Sequence, residues 1–177
     1  MEPMIEFERV SIVFGDAPQA ALPLMDEGRT RAEVQRLSGQ ILGVHDCTLA
    51  VARGEISVLM GLSGSGKSTL LRSVNGLNPV ARGAVRVRGR DGAMVDVASC
   101  DPGALRTLRR GGVAMVFQQF GLLPWRSVLD NVALGLELAG VAQAERLAKA
   151  RATLDVVNLG DWAAKRVGEL SGGMQQR

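Results

Sequence analysis

The residues best suited to do chemistry lie together in the segment GLSGSGKST, residues 61–69. The segment matches the pattern G-x-x-x-x-G-K-[ST] in full, which is typical of loops that hold nucleotide phosphates. Glycines let the backbone curve around phosphate groups, and the N–H groups of such a curve form an anion site. The lysine would place its charge on the β- and γ-phosphates, and the serine hydroxyl after it would bind Mg²⁺. We therefore predict a nucleotide site formed by Gly61, Ser63, Gly64, Ser65, Gly66, Lys67, Ser68 and Thr69.

A phosphate loop needs a strand before it and a helix after it, and the flanking residues favour both. Residues 55–60 are a short apolar run, which predicts a strand. Residues 68–77 predict a helix with Leu70, Leu71 and Val74 on one side. Such loops serve kinases, GTPases, motor proteins and transport ATPases, so this motif alone leaves the class of protein open.

A second motif, LSGGMQQR, occupies residues 170–177. It resembles the signature LSGG-x-Q-x-R of ABC-type ATPases. A simpler interpretation is that a serine and two glycines cap a helix, and the two interpretations are compatible because helix N-termini attract anions. The resemblance implies that the signature reaches across a dimer to the γ-phosphate held by the other copy's phosphate loop. The residues that it would supply are Ser171, Gly172, Gly173 and Gln175.

Between the two motifs lies VFQQFGLLP, residues 116–124, which resembles the Q-loop of the same family. The resemblance implies that Gln118 contacts the metal or the attacking water and reports the nucleotide state to the helical subdomain. It makes Gln118 and Lys67 the candidate catalytic residues and Ser68 and Gln118 the candidate Mg²⁺ ligands. The alternative is that Gln118 is an ordinary polar loop residue.

Phe14, directly before Gly15, stands where the family has an aromatic residue that stacks on adenine. Phenylalanine can stack on a base. The alternative is a core residue at the end of a strand, and the residues inserted after Gly15 could displace this part of the chain.

The surrounding patterns predict an α/β fold with a P-loop, RecA-like nucleotide-binding core. Residues 5–14 and 44–51 predict strands, and residues 84–97 predict a hairpin with turn residues Asp91 and Gly92. Asp101 and Pro102 predict the start of a helix over residues 103–110, followed by a strand at 112–117. We assign residues 1–14 and 44–126 to the core with its antiparallel β subdomain. Residues 15–43 form a helical insertion, with Thr30 and Glu33 as a capping box, and residues 127–177 form a helical subdomain.

Charge, cysteine spacing and the lengths of apolar runs limit the kinds of partner and site that we expect. The net charge is only +3 and no basic stripe is present, so nucleic acid is not an expected partner. Cys47 and Cys100 lack metal-ligand spacing, which indicates reduced thiols in a cytosolic protein, and His45 fits a strand or surface position. The N-terminus does not resemble a signal peptide, and no apolar run is long enough to span a bilayer. Any work at a membrane would therefore depend on a partner.

Three segments resemble one branch of the ABC family, the importers of glycine betaine, proline and choline. They are residues 14–47, 55–83 and 115–141, and their details, NGLNPVARG and LLPWRSV, resemble the choline branch most. The resemblance implies ATP and Mg²⁺ as cofactors, a homodimer of ATP-binding subunits and an integral-membrane permease. A periplasmic or extracellular solute-binding protein would take part indirectly. The subunit would be cytoplasmic and peripheral on the inner face of the cell membrane.

The permease would insert a coupling helix into a groove near residues 118–128. Phe120, Leu122, Leu123 and Trp125 would line this groove. The alternative is that these apolar residues are buried under the helical subdomain.

The family pattern continues after the signature with an aspartate-ended strand, a catalytic glutamate and a switch histidine, and the C-terminal part of the core is missing from these residues. Because phosphoryl transfer needs those groups, we expect residues 1–177 alone to hydrolyse ATP negligibly. Two alternatives to an importer subunit stay open. A P-loop kinase or GTPase would lack the LSGG motif, and a non-transport ABC ATPase would share all three motifs but not the insertion.

Overall fold

The computed structural model describes residues 2–177, a mixed α/β fold that divides into two units. The first unit ends at Ala114 and the second runs over Met115–Arg177. The predicted α/β class is confirmed, while the predicted domain boundary after residue 126 stays a prediction. No helix in the described part of the chain is long and apolar enough to cross a bilayer.

The first unit is built on a four-stranded antiparallel sheet with strand order β2-β1-β3-β4. The strands are β1 (Pro3–Phe14), β2 (Ile41–Ala52), β3 (Arg82–Arg88) and β4 (Met94–Asp96). The first strand forms, but its predicted alternation does not extend to Phe14, because Ser11 and Val13 are buried as well as Val10 and Ile12. In its first half, Phe7 is buried opposite Leu49 on β2 and Val85 on β3. A bulge follows, where Arg9 has a φ of 47° and the register shifts before Val10. The predicted hairpin is formed by β3 and β4.

The described residues of the first unit form four α-helices, two of which begin after capping residues that the sequence identified. They are α1 (Leu22–Asp26), α2 (Arg31–Ser38), α3 (Lys67–Ser73) and α4 (Pro102–Gly111), with a 3-10 helix at Pro18–Ala21. The Asp101 side chain accepts hydrogen bonds from the N–H groups of Gly103 and Ala104, which confirms it as the cap of α4. Thr30 and Glu33 form the predicted capping box of α2.

Two apolar clusters hold these elements. The larger joins the sheet to α3 and α4 through Phe7, Val10, Ile12, Leu70, Val74, Val85, Val87, Val97 and Leu108. The smaller packs the insertion on the ends of β1 and β2 through Val13, Ala21, Met25, Val34 and Leu42. The insertion therefore has a small core of its own, attached to the two strands that flank it.

The second unit is helical, as predicted for its main part. It contains α5 (Val128–Leu138), α6 (Gln143–Val156) and α7 (Gly172–Gln176), with 3-10 helices at Gly160–Trp162 and Val167–Glu169. Ser127 caps α5 by accepting the N–H of Asp130. Its core consists of Val128, Leu154, Leu159, Ala163 and Leu170.

Two predicted strands are wrong. Residues 55–60 and 112–117 are not β-strands, and within residues 2–177 neither segment belongs to the sheet. Several of their apolar side chains are exposed, with values of 91% for Ile56 and 97% for Val116, while Leu59 and Val113 pack against the larger cluster. An apolar run favours a strand only where a neighbouring strand pairs with its backbone, and the sheet formed by β1–β4 offers no such neighbour here. Leu71, expected beside Leu70 and Val74, is also about half exposed.

Candidate functional site

The loop at residues 61–66 curves in the way that its glycines allow. Gly61, Gly64 and Gly66 have φ values of 153°, 78° and 97°, a region that side-chain-bearing residues rarely adopt. Gly66 is also the N-cap of α3, and its carbonyl accepts the N–H of Leu70 at 2.8 Å. The loop thus leads directly into a helix N-terminus, as the motif requires, whereas the strand expected before the loop is not formed.

Lys67, the first residue of α3, turns its side chain back onto the loop. Its Nζ donates to the carbonyl oxygens of Gly61 and Leu62, each at 2.8 Å, and to Ser65 Oγ at 3.3 Å. The ammonium group is therefore held by the loop that precedes it. This arrangement combines a fixed positive charge with the backbone amides of a curved loop, and both attract an anion.

The loop borders a cleft of about 370 Å³ in the first unit. Gly61, Ser65 and Lys67 line one side, and Gly43 and Cys47 of β2 line the other. Partial burial raises the pKa of the Cys47 thiol, so it stays neutral near pH 7. Exposed His45 also lies on β2, as the sequence indicated. The positive charge at this cleft comes from Lys67 and from Arg31.

Two glycines bring the loop and β2 into close contact. A Cβ atom on Gly66 would lie 2.5 Å from the carbonyl oxygen of Gly43. A Cβ atom on Gly43 would lie 2.9 Å from the Phe14 ring and 3.1 Å from the Thr69 methyl group. Both positions therefore require glycine on steric grounds, and Gly43 was not singled out by any sequence motif.

Ser68 has the chemistry of a Mg²⁺ ligand. It is the second residue of α3, its side chain is exposed, and a hydroxyl oxygen is the hard ligand that Mg²⁺ accepts. The described residues contain no group of His, Cys, Asp and Glu side chains that could hold a metal ion. A hydroxyl at the start of α3 is compatible with binding Mg²⁺, and this role of Ser68 stays a prediction.

Arg31, at the start of α2, contacts the loop from the insertion. Its Nη1 donates to the Gly64 carbonyl oxygen at 2.5 Å and its Nη2 to the Gly43 carbonyl oxygen at 3.1 Å. Sequence reasoning missed this residue, because the only nearby signal was the capping box of Thr30 and Glu33. The capping box predicts where α2 begins, but it does not predict what the Arg31 side chain contacts.

Phe14 lies at the end of β1, opposite Ile41. It is half-buried and packs against the larger apolar cluster, so it does contribute to the core. Its role in stacking on adenine stays a prediction.

Gln118 lies in the second unit, in an exposed bend between residue 112 and α5. The residues after it are anchored by Asn131, whose Oδ1 accepts the Leu123 N–H at 2.7 Å and whose Nδ2 donates to the Leu123 carbonyl at 3.1 Å. Phe120 and Trp125 are 44% and 68% exposed. The catalytic and metal-binding roles of Gln118, and the groove for a permease helix, stay predictions.

The signature residues also lie in the second unit. Ser171 caps α7 by accepting the N–H of Met174 at 3.3 Å, and Gly172 and Gly173 are exposed beside it. The Gln175 side-chain amide donates to the carbonyls of Val167 and Leu170 at 3.2 and 3.1 Å. Gln175 thus holds the α7 start against the preceding 3-10 helix. Nucleotide contacts by the four signature residues stay predictions.

Comparisons with known proteins agree with the motifs. A sequence model of the family described as ABC transporter matches residues 44–177. The chain is similar to ProV, the glycine betaine/proline betaine transport system ATP-binding protein of Salmonella typhimurium, with 44% identity over 98% of this chain and 42% of ProV. It is also similar to OpuAA, the glycine betaine transport ATP-binding protein of Bacillus subtilis, with 42% identity over 98% of this chain and 40% of OpuAA. The chain therefore spans about two-fifths of the length of these relatives.

A solved structure shares the fold. It is a dimeric structure of the ATP-binding cassette MJ0796 in a post-hydrolysis state, bound to ADP and Pi. The TM-score is 0.75 at 27% identity, over 98% of this chain and 66% of that chain.

Proposed function

This chain belongs to the ABC transporter family, and from that premise we propose that it is the ATP-binding part of an importer for small quaternary amines. The observation that carries the proposal is the loop at residues 61–66, with three glycines in the left-handed region, Lys67 folded onto it and α3 starting at its end. Together these features form a cradle for a chain of phosphates.

The triphosphate of ATP would lie along this loop. Backbone amides of residues 61–69 would donate to its oxygens, and Lys67 would exchange its carbonyl partners for the β- and γ-phosphates. Ser68 would hold Mg²⁺, which would neutralise part of the phosphate charge. Phe14 would stack on the adenine ring and Gln118 would orient water near the γ-phosphate.

We further propose that two copies of the subunit bind ATP between them. Ser171, Gly172, Gly173 and Gln175 of one copy would face the phosphate loop of the other, and hydrolysis would follow this closure. Support comes from the dimeric cassette with ADP and Pi, which shares the fold. The dimer would work at the inner face of the membrane by driving a permease, with a solute-binding protein on the other side.

The solute is proposed from the relatives' names. ProV and OpuAA are named for glycine betaine or proline betaine, which favours a betaine-type quaternary amine. Choline carries the same quaternary ammonium group, and it stays the prediction of the sequence details at residues 75–83 and 122–128. The family match and these relatives do not favour a P-loop kinase or GTPase.

Equilibrium binding of ATP with Mg²⁺ to the purified protein tests the proposal. We expect Lys67→Ala to weaken binding by about tenfold or more, because a charge-assisted contact to phosphate is lost. Gly28→Ala is the matched control, since Gly28 lies in the insertion with no atom within 4 Å of an added Cβ. Absence of ATP binding by the unaltered protein would refute the proposal.

Uptake by cells that carry the native gene of this protein tests the choice of solute, because residues 1–177 alone are not expected to hydrolyse ATP. We expect Lys67→Ala to abolish accumulation of labelled glycine betaine or choline and Gly28→Ala to retain it. Accumulation of neither solute above the level of the Lys67→Ala cells would refute a quaternary-amine importer while leaving ATP binding intact.

A further inference from the structure

Arg31 connects the insertion to the phosphate loop through two hydrogen bonds. One goes to Gly64, in the middle of the loop, and the other to Gly43, near the start of β2. A guanidinium group presents several N–H donors in a rigid plane, so one side chain can bridge two carbonyls at fixed positions. The insertion is thus joined to the candidate ATP site by a specific polar contact.

The backbone that carries Arg31 is well fixed. Thr30 is the N-cap of α2, with its N–H donating to Glu33 Oε2 at 2.8 Å and its Oγ1 accepting the Glu33 N–H at 3.3 Å. Val34, one turn further along, is fully buried in the small core of the insertion. Because Arg31 directly follows the cap, its Cα position is set by this capping box and by the packing of α2.

The two carbonyl groups that accept hydrogen bonds from Arg31 lie where the loop packs closely against β2. An added Cβ at Gly66 would come within 2.5 Å of the Gly43 carbonyl oxygen, the atom that also accepts from Arg31. The guanidinium therefore ties the loop to β2 at the point of closest backbone approach. Loss of Arg31 would remove both of these hydrogen bonds between the insertion, the loop and β2.

The bond to Gly64 also has an electrostatic effect. The Gly64 carbonyl and the Ser65 N–H belong to one planar peptide unit and point in opposite directions. A cation at the carbonyl oxygen polarises the unit and makes its N–H a stronger donor. The effect favours an anion on the amide side of the loop.

We propose that Arg31 is a positioning residue, through which the insertion sets the shape and the phosphate affinity of the loop. The proposal rests on the function proposed above, because it concerns the affinity of the same loop. It assigns the insertion a role in nucleotide binding.

Competition binding with a fluorescent ATP analogue tests this role, using ATP, ADP and inorganic tripolyphosphate as ligands. We expect Arg31→Ala to weaken all three by a similar factor of about five to ten, because the loop holds phosphates common to all. Arg31→Lys, which keeps the charge and a donor, should recover part of the loss. The matched control is Arg36→Ala, an exposed arginine in the last turn of the same helix.

The change in affinity for each of the three ligands shows whether Arg31 positions the loop or contacts the ligand directly. A loss for ATP and tripolyphosphate but not ADP would indicate direct contact with the γ-phosphate. A loss for ATP and ADP but not tripolyphosphate would indicate contact with the nucleoside. Either pattern would overturn the positioning role. Unchanged affinities in Arg31→Ala would also overturn it, whatever the change in thermal stability. If the unaltered protein binds none of the ligands, the proposed function itself fails.

Discussion

At the scale of single residues, the site depends most on glycines at positions where any side chain would clash with neighbouring atoms. Gly66 combines a φ of 97° with a backbone oxygen 2.5 Å from any added Cβ. A left-handed conformation alone costs an ordinary residue about 1–2 kcal/mol. The contact with the Gly43 oxygen adds to this cost, and it can be relieved only by moving the loop away from β2.

We therefore expect Gly66→Ala to lower both the stability and the ATP affinity of the protein. Urea titration should show a loss of more than about 2 kcal/mol, and ATP binding should weaken by more than about tenfold. Gly28→Ala provides the comparison, because Gly28 has a φ of 75° but open space around it. It should lose about 1 kcal/mol of stability and no ATP affinity. Equal behaviour of the two variants would contradict the steric argument.

Sequence reasoning identified the loop residues but not the residues that support the loop. Gly61, Gly64, Gly66 and Lys67 are recognisable because their spacing alone defines the chemistry. Arg31 lies 33 positions before its partner Gly64, and an arginine on a short helix gives no local sign of such a contact. Long-range partners of this kind depend on tertiary packing, which one sequence does not reveal.

At the scale of elements, the structure shows how the insertion is stabilised, by a capped helix and a small apolar core. Its second helix starts at the capping box of Thr30 and Glu33. The N–H and side chain of Thr30 hold the pKa of Glu33 below its ordinary value of 4.5, with smaller help from Arg29 and Arg36. A carboxylate with a depressed folded-state pKa stabilises the fold at neutral pH, and this contribution disappears as the pH falls through that pKa.

We expect the stability difference between the unaltered protein and Glu33→Gln to depend on pH. The difference should be largest near neutral pH and should shrink as the pH falls below the ordinary pKa of 4.5 and through the lowered folded-state pKa of Glu33. Urea titrations followed by circular dichroism at a series of pH values measure it. Thr30→Ala, which removes the other half of the box, should cost about 1 kcal/mol at neutral pH. A difference that stays constant down to acid pH would contradict a charged capping box.

Elements with local start signals were predicted well, and elements that need distant partners were not. Asp101, Thr30 and Ser127 each cap the helix that the sequence assigned to them. Residues 55–60 have the composition of a strand, but a strand is defined by pairing. In the described residues the edge strands of the antiparallel sheet are β2 and β4, and neither of them pairs with residues 55–60.

At the scale of the whole molecule, family membership and the loop geometry point to the same activity. The family match covers residues 44–177, whereas the insertion begins before it and is shared with relatives aligned over 98% of the chain. We infer that the ATP site is common to the family and that the insertion adapts it. Under the proposal made for Arg31, its hydrogen bond to Gly64 is the contact through which the insertion would act on the loop.

Hydrogen exchange of the backbone amides, with and without ATP and Mg²⁺, measures most directly whether the loop wraps the phosphates. The amides of residues 61–69 should exchange more slowly once nucleotide is bound, because they would donate to phosphate oxygens. Lys67→Ala should abolish this protection at the same nucleotide concentration. Bound ATP that leaves exchange at residues 61–69 unchanged, while slowing it elsewhere in the chain, would contradict the account.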